Sequence, residues 1–210
     1  HELRTPLAVL KLQAENAIDA GATPEQRVHL ERLVSGVDRS TRVVEQLLLL
    51  ARLDANAVPF VPQTVALDEI ARDTLAQLAP LAHARRQDIG LSHDGASLTV
   101  PGEPALLGAL LRNLVENALR HTPEGGEVDV TLREENGCAI LEVRDTGPGI
   151  DPAHLGDITE RFVRSHSQDT QGTGLGLAIA AHIAGLHHAL LHLANGPEGG
   201  LIVSITFPRH

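Results

Sequence analysis

Three polar side chains on an otherwise apolar helix are the first residues here that can do chemistry. Within and just ahead of NLVENALRHT (Asn113 to Thr122), apolar residues recur at Leu107, Leu110, Leu111, Leu114 and Ala118. That is the spacing of one buried helical face. At about 100° per residue, Asn113, Asn117 and Arg120 share a separate sector about 60° wide. Asn117 borders the apolar stripe, where an unpaired carboxamide is costly. Two readings follow. The Asn117 oxygen can ligate a hard cation such as Mg²⁺, with Arg120 one turn on reaching the phosphates that the cation carries. Alternatively, the stretch is a plain amphipathic helix with polar residues at its edge.

Two glycine-bearing stretches follow. In DTGPGI (Asp145 to Ile150), Asp145 ends a strand and can accept a hydrogen bond from an exocyclic amine. Gly147 and Gly149 let the backbone approach a flat ligand closely. Alone, this is an ordinary turn. In SHSQDTQGTGLGLAI (Ser165 to Ile179), a polar run becomes glycine-rich and then helical. Gly172, Gly174 and Gly176 lead into a helix N-terminus, where backbone N–H groups hold phosphate. No strand precedes it, so it is not a dinucleotide fingerprint, and a flexible linker with a helix cap is the plainer reading. Arg161 and Arg164 flank Phe162 just ahead of this loop. His182, His187, His188 and His192 invite a metal reading, but their spacing matches no common zinc pattern.

The composition narrows the classes. The chain has 210 residues, 42% hydrophobic and 1% aromatic, so Leu, Val, Ile and Ala must build the core. Its formal net charge of −10 argues against a general nucleic-acid binder. Lys11 is the only lysine, which excludes a Walker A loop and leaves arginine to meet phosphate. The single cysteine, Cys138, cannot form an internal disulfide and suits a reducing compartment. No apolar run is long enough to span a membrane. The chain opens at His1 without a Met, so it is expected to be a fragment whose targeting or membrane segments lie elsewhere.

The elements that must position these residues are legible from period. Leu3, Leu7, Leu10, Ala14 and Ala17 mark a helix over 1–20, which GATP (Gly21 to Pro24) breaks. A second helix, about Glu25 to Asp54, carries the stripe Leu30, Val34, Val37, Thr41, Val44, Leu48 and Ala51. That heptad seam implies coiled-coil-like packing, and two copies are expected to pair as a four-helix bundle. His1 lies about 160° from the buried face and Thr5 shares its exposed side. Pro6 should kink the helix by crowding the Glu2 carbonyl. Residues 55–62 read as a linker. Beyond it come a strand near Thr64 to Leu67, a helix from Asp68 to about Arg86, and strands near Ile89 to Ser92 and Leu98 to Val100. The Asn-bearing helix runs from about Glu103 to His121. Strands Glu127 to Arg133 and Cys138 to Arg144, a helix from about Leu175 to Leu186, and strands Leu190 to Ala194 and Leu201 to Phe207 complete the chain. Strand pairs interleaved with three helices imply a two-layer α/β sandwich.

Taken together, these stretches resemble the catalytic core of a bacterial sensor histidine kinase. HELRTPL resembles the phosphoacceptor box and NLVENALRHT the asparagine box. DTGPGI resembles the first glycine box, ERFVR the phenylalanine box and GTGLGLAI the second glycine box. The five occur in the family's order from His1 to Ile179. The resemblance implies a dimerisation and phosphotransfer domain (1–54) joined by the linker to an ATP-binding domain of the Bergerat fold (63–210), with a response regulator bearing an acceptor aspartate as partner. It implies a homodimer formed through the helical hairpin, no nucleic acid as a partner, and a cytoplasmic portion of a protein anchored in the inner membrane through segments absent from this chain.

Position by position, the resemblance makes His1 the phosphoacceptor and Glu2 the base that takes its proton. Arg4 would assist phosphate, and Thr5 would orient water when the regulator is dephosphorylated. Asn117 would hold Mg²⁺ with Asn113 beside it, and Asp145 would read the adenine amine beside Gly147 and Gly149. Arg120, Gly172, Thr173, Gly174, Leu175 and Gly176 would contact the phosphates of ATP, with Arg161 or Arg164 helping. His121 stands at the nucleotide site where the family frequently has Tyr, and His188 and Ala189 replace glycines that often follow the histidine near position 187. Ser165 to Gly172 is expected to order when nucleotide binds. The rivals are an ATPase of the gyrase, chaperone and mismatch-repair superfamily and a degenerate kinase serving as a dimeric scaffold. Against the ATPase, Asn113 stands where those enzymes carry a water-activating glutamate, and Glu116 is adjacent to Asn117 rather than one turn before it.

Overall fold

The computed structural model describes residues 4–54, 60–95, 97–152 and 174–208. The chain divides between residues 55 and 56 into two compact units. Among the described residues, no helix is long and apolar enough to cross a membrane.

The first unit is an antiparallel helical hairpin of α1 (Arg4–Asp19) and α2 (Pro24–Asp54). The break at GATP has a specific construction. Gly21 takes φ +100°, which a side chain would resist. Thr23 then opens α2 with a reciprocal capping box: its N–H donates to Gln26 Oε1 at 3.0 Å, and Gln26 N–H donates to Thr23 Oγ1 at 3.3 Å. Pro24 sits at the first helical position, where its missing N–H costs nothing. Lys11 Nζ donates to Asp38 Oδ1 across the hairpin at 2.8 Å.

Within one hairpin the expected stripes are only partly covered. Of the α1 stripe, Leu7 and Ala14 turn inward, together with Lys11 and Ile18, whereas Ala17 is exposed and Leu10 is 48% exposed. Leu48 and Ala51 of α2 are exposed as well. A pair of helices can cover only one face of each member, and the apolar residues here occupy more than one face. Val9, Leu12, Val28, Leu33 and Leu47 are therefore left in solvent alongside Leu10. The kink expected at Pro6 involves Glu2, which lies outside the described residues.

The second unit is a two-layer α/β sandwich. A five-stranded sheet runs β2 (Asp88–His93), β4 (Glu127–Glu135), β5 (Cys138–Asp145), β7 (Leu201–Phe207), β6 (Leu190–Asn195). Its β2–β4 pair is parallel and the others antiparallel. A separate antiparallel pair joins β1 (Gln63–Ala66) to β3 (Thr99–Gly102). One face of the large sheet is covered by α3 (Leu67–Ala84), α4 (Pro104–His121) and α5 (Gly176–Leu186). Strand alternation decides which side chains meet them. In register, Val130 faces Val143 and Val203, and Leu132 faces Leu141 and Ile205. These are buried, while Asp129, Thr131, Arg133, Glu142 and Arg144 lie on the other face. Asn136 and Gly137, at φ 52° and 78°, close the β4–β5 hairpin, the positive-φ pair of a two-residue turn.

Candidate functional site

Asp145 occupies a position in the sheet that its neighbours fill with Val and Leu. It pairs with Val128 at the end of β5, in the row that continues Leu141 and Val143 on the helix-covered face. Alternation thus forces a carboxylate into the core, where it is 4% exposed. Two backbone amides support it: Gly147 N–H donates to Oδ1 at 2.8 Å and Leu201 N–H to the same oxygen at 3.2 Å. Burial pushes its pKa up, and the two amide bonds and the nearby His121 only partly offset this. Both bonds fall on Oδ1, so among the described residues Oδ2 remains available to a ligand donor.

The turn after Asp145 lies tight against α4. A Cβ on Gly147 would sit 2.7 Å from the His121 carbonyl oxygen and 2.9 Å from Asp145 Oδ1. Gly149 has φ +73°, and a Cβ there would meet Asn195 Oδ1 at 2.7 Å. Asn195 fastens this turn from β6, accepting from Ile150 N–H at 2.9 Å and donating to the Ile150 carbonyl at 2.6 Å. Gly200 approaches closer still, since a Cβ there would fall 1.8 Å from the Asp145 carbonyl oxygen. Asn195, Gly200 and Leu201 are supports that the sequence reading missed. The Gly-Gly pair at 199 and 200 was the available signal, but nothing local shows which carboxylate it backs.

Helix α4 presents the second wall. It buries Leu106, Leu107, Leu110, Leu111, Leu114, Val115, Ala118 and Leu119. It begins at Glu103, whose carboxylate accepts from Leu106 N–H at 2.8 Å, with Pro104 next. Asn113, Asn117, Arg120 and His121 are half-buried along its flank. The two asparagines differ. Asn113 Nδ2 donates back to the Ala109 carbonyl at 2.8 Å, whereas the Asn117 carboxamide makes no hydrogen bond to a described residue. Arg120 and His121 have partners of their own. Gly176 lies beside Asn113, its Cβ position 3.6 Å from Asn113 Oδ1. The start of α5 is therefore brought to the asparagine-bearing flank. Gly174 has φ +68°, and Leu175 is fully buried and offers no side-chain cap. The first amides of α5 are thus not taken by a capping side chain.

The remaining candidates are apart from this cluster or outside the described residues. His1, Glu2, Arg161, Arg164, Gly172, Thr173 and the segment Ser165 to Gly172 lie outside them. Arg4 opens α1, and Thr5 is exposed on it, one turn before the equally exposed Ala8 and Val9. Among the described residues, no group of three or more His, Cys, Asp or Glu can hold a metal. His187 instead makes backbone bonds within the core.

The residues present fit a purine nucleotide with a hard cation. A buried carboxylate has an oxygen open to an amine. Glycines where any Cβ would clash keep the approach flat. The half-buried Asn117 carboxamide has no hydrogen bond to a described residue, and it lies one turn along α4 from Asn113, which packs beside the start of α5. The fold and site therefore define a nucleotide-binding α/β sandwich preceded by a helical hairpin. The family model for histidine kinase-, DNA gyrase B-, and HSP90-like ATPases matches residues 102–210, and that for the His Kinase A (phospho-acceptor) domain matches residues 1–56. The chain belongs to the histidine kinase-, DNA gyrase B-, and HSP90-like ATPase family, as the ATP-binding core of a sensor histidine kinase.

It is 38% identical over 208 residues to the sensor protein QseC of Escherichia coli K12, covering 99% of this chain and 45% of that protein. Full-length ShkA in complex with AMPPNP superposes with a TM-score of 0.77 at 28% identity, covering 99% of this chain and 44% of that one. The cytoplasmic segment of histidine kinase QseC gives a TM-score of 0.57 at 30% identity, covering 82% and 95%. The chain spans about half the length of the curated relatives that it matches.

Proposed function

We propose that this chain transfers the γ-phosphoryl group of ATP to His1 and then to an aspartate of a response regulator, and that it also dephosphorylates that regulator. The observation that carries the nucleotide half is Asp145: a carboxylate held in the core by two amides to one oxygen, with the other oxygen left for the adenine amine. Gly147 and Gly149 let the ring lie against the backbone. Asn117 offers its carboxamide oxygen to Mg²⁺, with Asn113 beside it. Bound there, Mg²⁺ neutralises charge on the phosphate oxygens. Arg120, the amides at Gly174, Leu175 and Gly176, the neighbouring Gly172 and Thr173, and one of Arg161 and Arg164 share the rest of that charge.

On this reading a neutral His1 nitrogen forms a bond to the γ-phosphorus as the bond to the bridging oxygen breaks. ADP leaves, and Glu2 takes the imidazole proton while Arg4 steadies the phosphoryl oxygens. An imidazole is suited to this because its unperturbed pKa near 6.5 leaves it largely neutral at pH 7. The phosphoryl group then passes to the regulator's carboxylate, and Thr5 orients the water that later removes it. Exposed Val9, Leu10, Leu12, Val28, Leu33 and Leu47 support pairing of two hairpins into a four-helix bundle. As with the cytoplasmic segment of QseC, a cytoplasmic position is proposed, with anchoring in a bacterial inner membrane through other segments. Water activation by α4 is disfavoured, since Glu116 pairs with Arg112 at 3.9 Å and Asn113 bonds its own helix. Incubation with γ-labelled ATP should give acid-labile label that His1→Ala abolishes. Free phosphate release without protein label would overturn the kinase reading in favour of a hydrolase.

A further inference from the structure

His187 takes no part in the steps above, yet it is 5% exposed and every ring edge is engaged. Nδ1 lies 2.8 Å from the Ile183 carbonyl oxygen, and Nε2 lies 3.2 Å from the Glu103 backbone nitrogen. A carbonyl only accepts and an amide N–H only donates. The ring is therefore the neutral tautomer with Nδ1–H donating to Ile183 and Nε2 accepting from Glu103. Burial favours that species by pushing the imidazole pKa below its ordinary value, and His188 adds to this while the Glu103 carboxylate opposes it. Phe60 and Phe207 meet the ring edge-on, with centroids 5.0 and 6.5 Å away. Gly102 packs so close that a Cβ would fall 2.8 Å from His187 Cδ2.

The two backbone partners are what make this contact more than core filling. Glu103 is the N-cap of α4, and His187 is the C-cap residue of α5. The helices run antiparallel and meet twice, at Gly176 beside Asn113 and at His187 beside Glu103. At about 1.5 Å per residue, these meetings are roughly 16 Å apart along α5. Between them α5 buries Leu177, Ala178, Ile179, Ala180, Ile183 and Ala184. Apolar contact of that kind is non-directional and tolerates sliding, whereas a hydrogen bond loses its strength within a fraction of an ångström.

We propose that His187 is a positioning residue for the nucleotide site: by tying the start of α4 to the end of α5, it sets the axial register in which the Asn113 turn of α4 packs beside Gly176 at the glycine-led start of α5. This rests on the nucleotide reading above. The ring also receives Phe60, the first described residue after the junction between the units, so the same contact fixes where the chain enters the sandwich.

The test uses the full chain, a fluorescent trinitrophenyl-ATP probe, melting temperature, and amide hydrogen exchange over 102–107. In H187Q, Oε1 can take the place of Nε2 as acceptor. H187N keeps a donor near Nδ1 but cannot reach Glu103, and H187L fills volume with neither. The expected result is that H187N and H187L bind the probe about 10-fold more weakly, the equivalent of one lost hydrogen bond. H187Q should stay close to the parent even if its melting temperature falls as far. The Glu103 amide should exchange faster in H187N and not in H187Q. Lowering the pH should weaken the parent more than H187Q, because only the parent has a ring to protonate. Among the described residues, the ionisable side chains that act on that ring are Glu103 and His188. Equal affinity in H187N and H187Q, or an unchanged Glu103 amide in H187N, would overturn the positioning role. A parent chain that fails to bind the probe would overturn the nucleotide reading itself.

Discussion

The Asp145 carboxylate sits in the core against its own desolvation, which raises its pKa above the ordinary carboxylate value. Two amide donors make that tolerable without cancelling it. A carboxyl whose folded pKa is raised destabilises the native state above that pKa, and the penalty disappears as pH falls below the unfolded value. Replacing it with a neutral isostere removes the penalty, and the Asn oxygen can accept from the same two amides. Asp145→Asn should therefore raise the melting temperature of the nucleotide-free chain while weakening ATP by about 10- to 100-fold, the range of a lost hydrogen bond to a charged group. Titration calorimetry and a thermal melt check the two halves, and tight ATP binding by the variant would remove Asp145 from the pocket. The same raised pKa fixes a sign for the parent. Its ATP affinity should begin to fall, as pH is lowered, above the usual carboxylate range, and that inflection should be absent in Asp145→Asn.

Among the elements, one point of local strain lies just past the end of α5. His188 has φ 53° and is exposed, a conformation that costs a side-chain-bearing residue roughly 1–2 kcal/mol. His188→Gly should stabilise the chain by about 1 kcal/mol, raising its melting temperature by about 2–4 °C, with ATP affinity unchanged. A fall in melting temperature would mean that the His188 side chain makes a contact worth more than the strain. Gly200→Ala should do the reverse. With φ +79° and a Cβ 1.8 Å from the Asp145 carbonyl, it must displace the end of β5. The expected cost is about 2–3 kcal/mol together with loss of ATP binding. These cases show how much the sequence reveals at this scale. Helices and strands carry their own period, and the alternation Leu141, Val143, Asp145 already turns the carboxylate inward. The start of α4 is legible in Glu103 and Pro104, and that of α2 in Thr23 and Gln26. The clamp from Asn195 and the amide from Leu201 are not legible, because they come from 45 and 56 residues away along the chain. The expected stripe of α1 mixes two faces for a related reason. Leu10 and Leu7 are equally apolar, and period alone does not tell a face that meets α2 from one left for another partner.

Across the whole molecule, the proposed chemistry is divided between two units, so its activities should separate by mutation. His1 and Thr5 belong to the helical unit, and Asp145 and Asn117 to the sandwich. His1→Ala should end autophosphorylation and leave ATP binding intact, whereas Asp145→Asn should weaken ATP binding and lower autophosphorylation with it. Thr5 offers the finer division. It is exposed at the start of α1, and the sequence period predicts a shared helical side for it and His1 four residues earlier, so a regulator delivering its aspartate to His1 should also meet the Thr5 hydroxyl. Transfer from ATP to His1 needs no hydroxyl there, because the nucleophile is the imidazole and the charge is met by Mg²⁺ and arginine. Hydrolysis of the regulator's phosphoaspartate does need one, to hold water in line with the phosphorus, and orientation of a reactant supplies a large part of such a barrier. Thr5→Ala should therefore retain autophosphorylation within about 3-fold and lose regulator phosphatase by about 10-fold or more, the scale of one positioned hydrogen bond. Thr5→Ser, which keeps the hydroxyl, should restore most of the phosphatase. The measurement is the decay of labelled regulator with each variant. Decay at the parent rate with Thr5→Ala would take the water-orienting role away from Thr5.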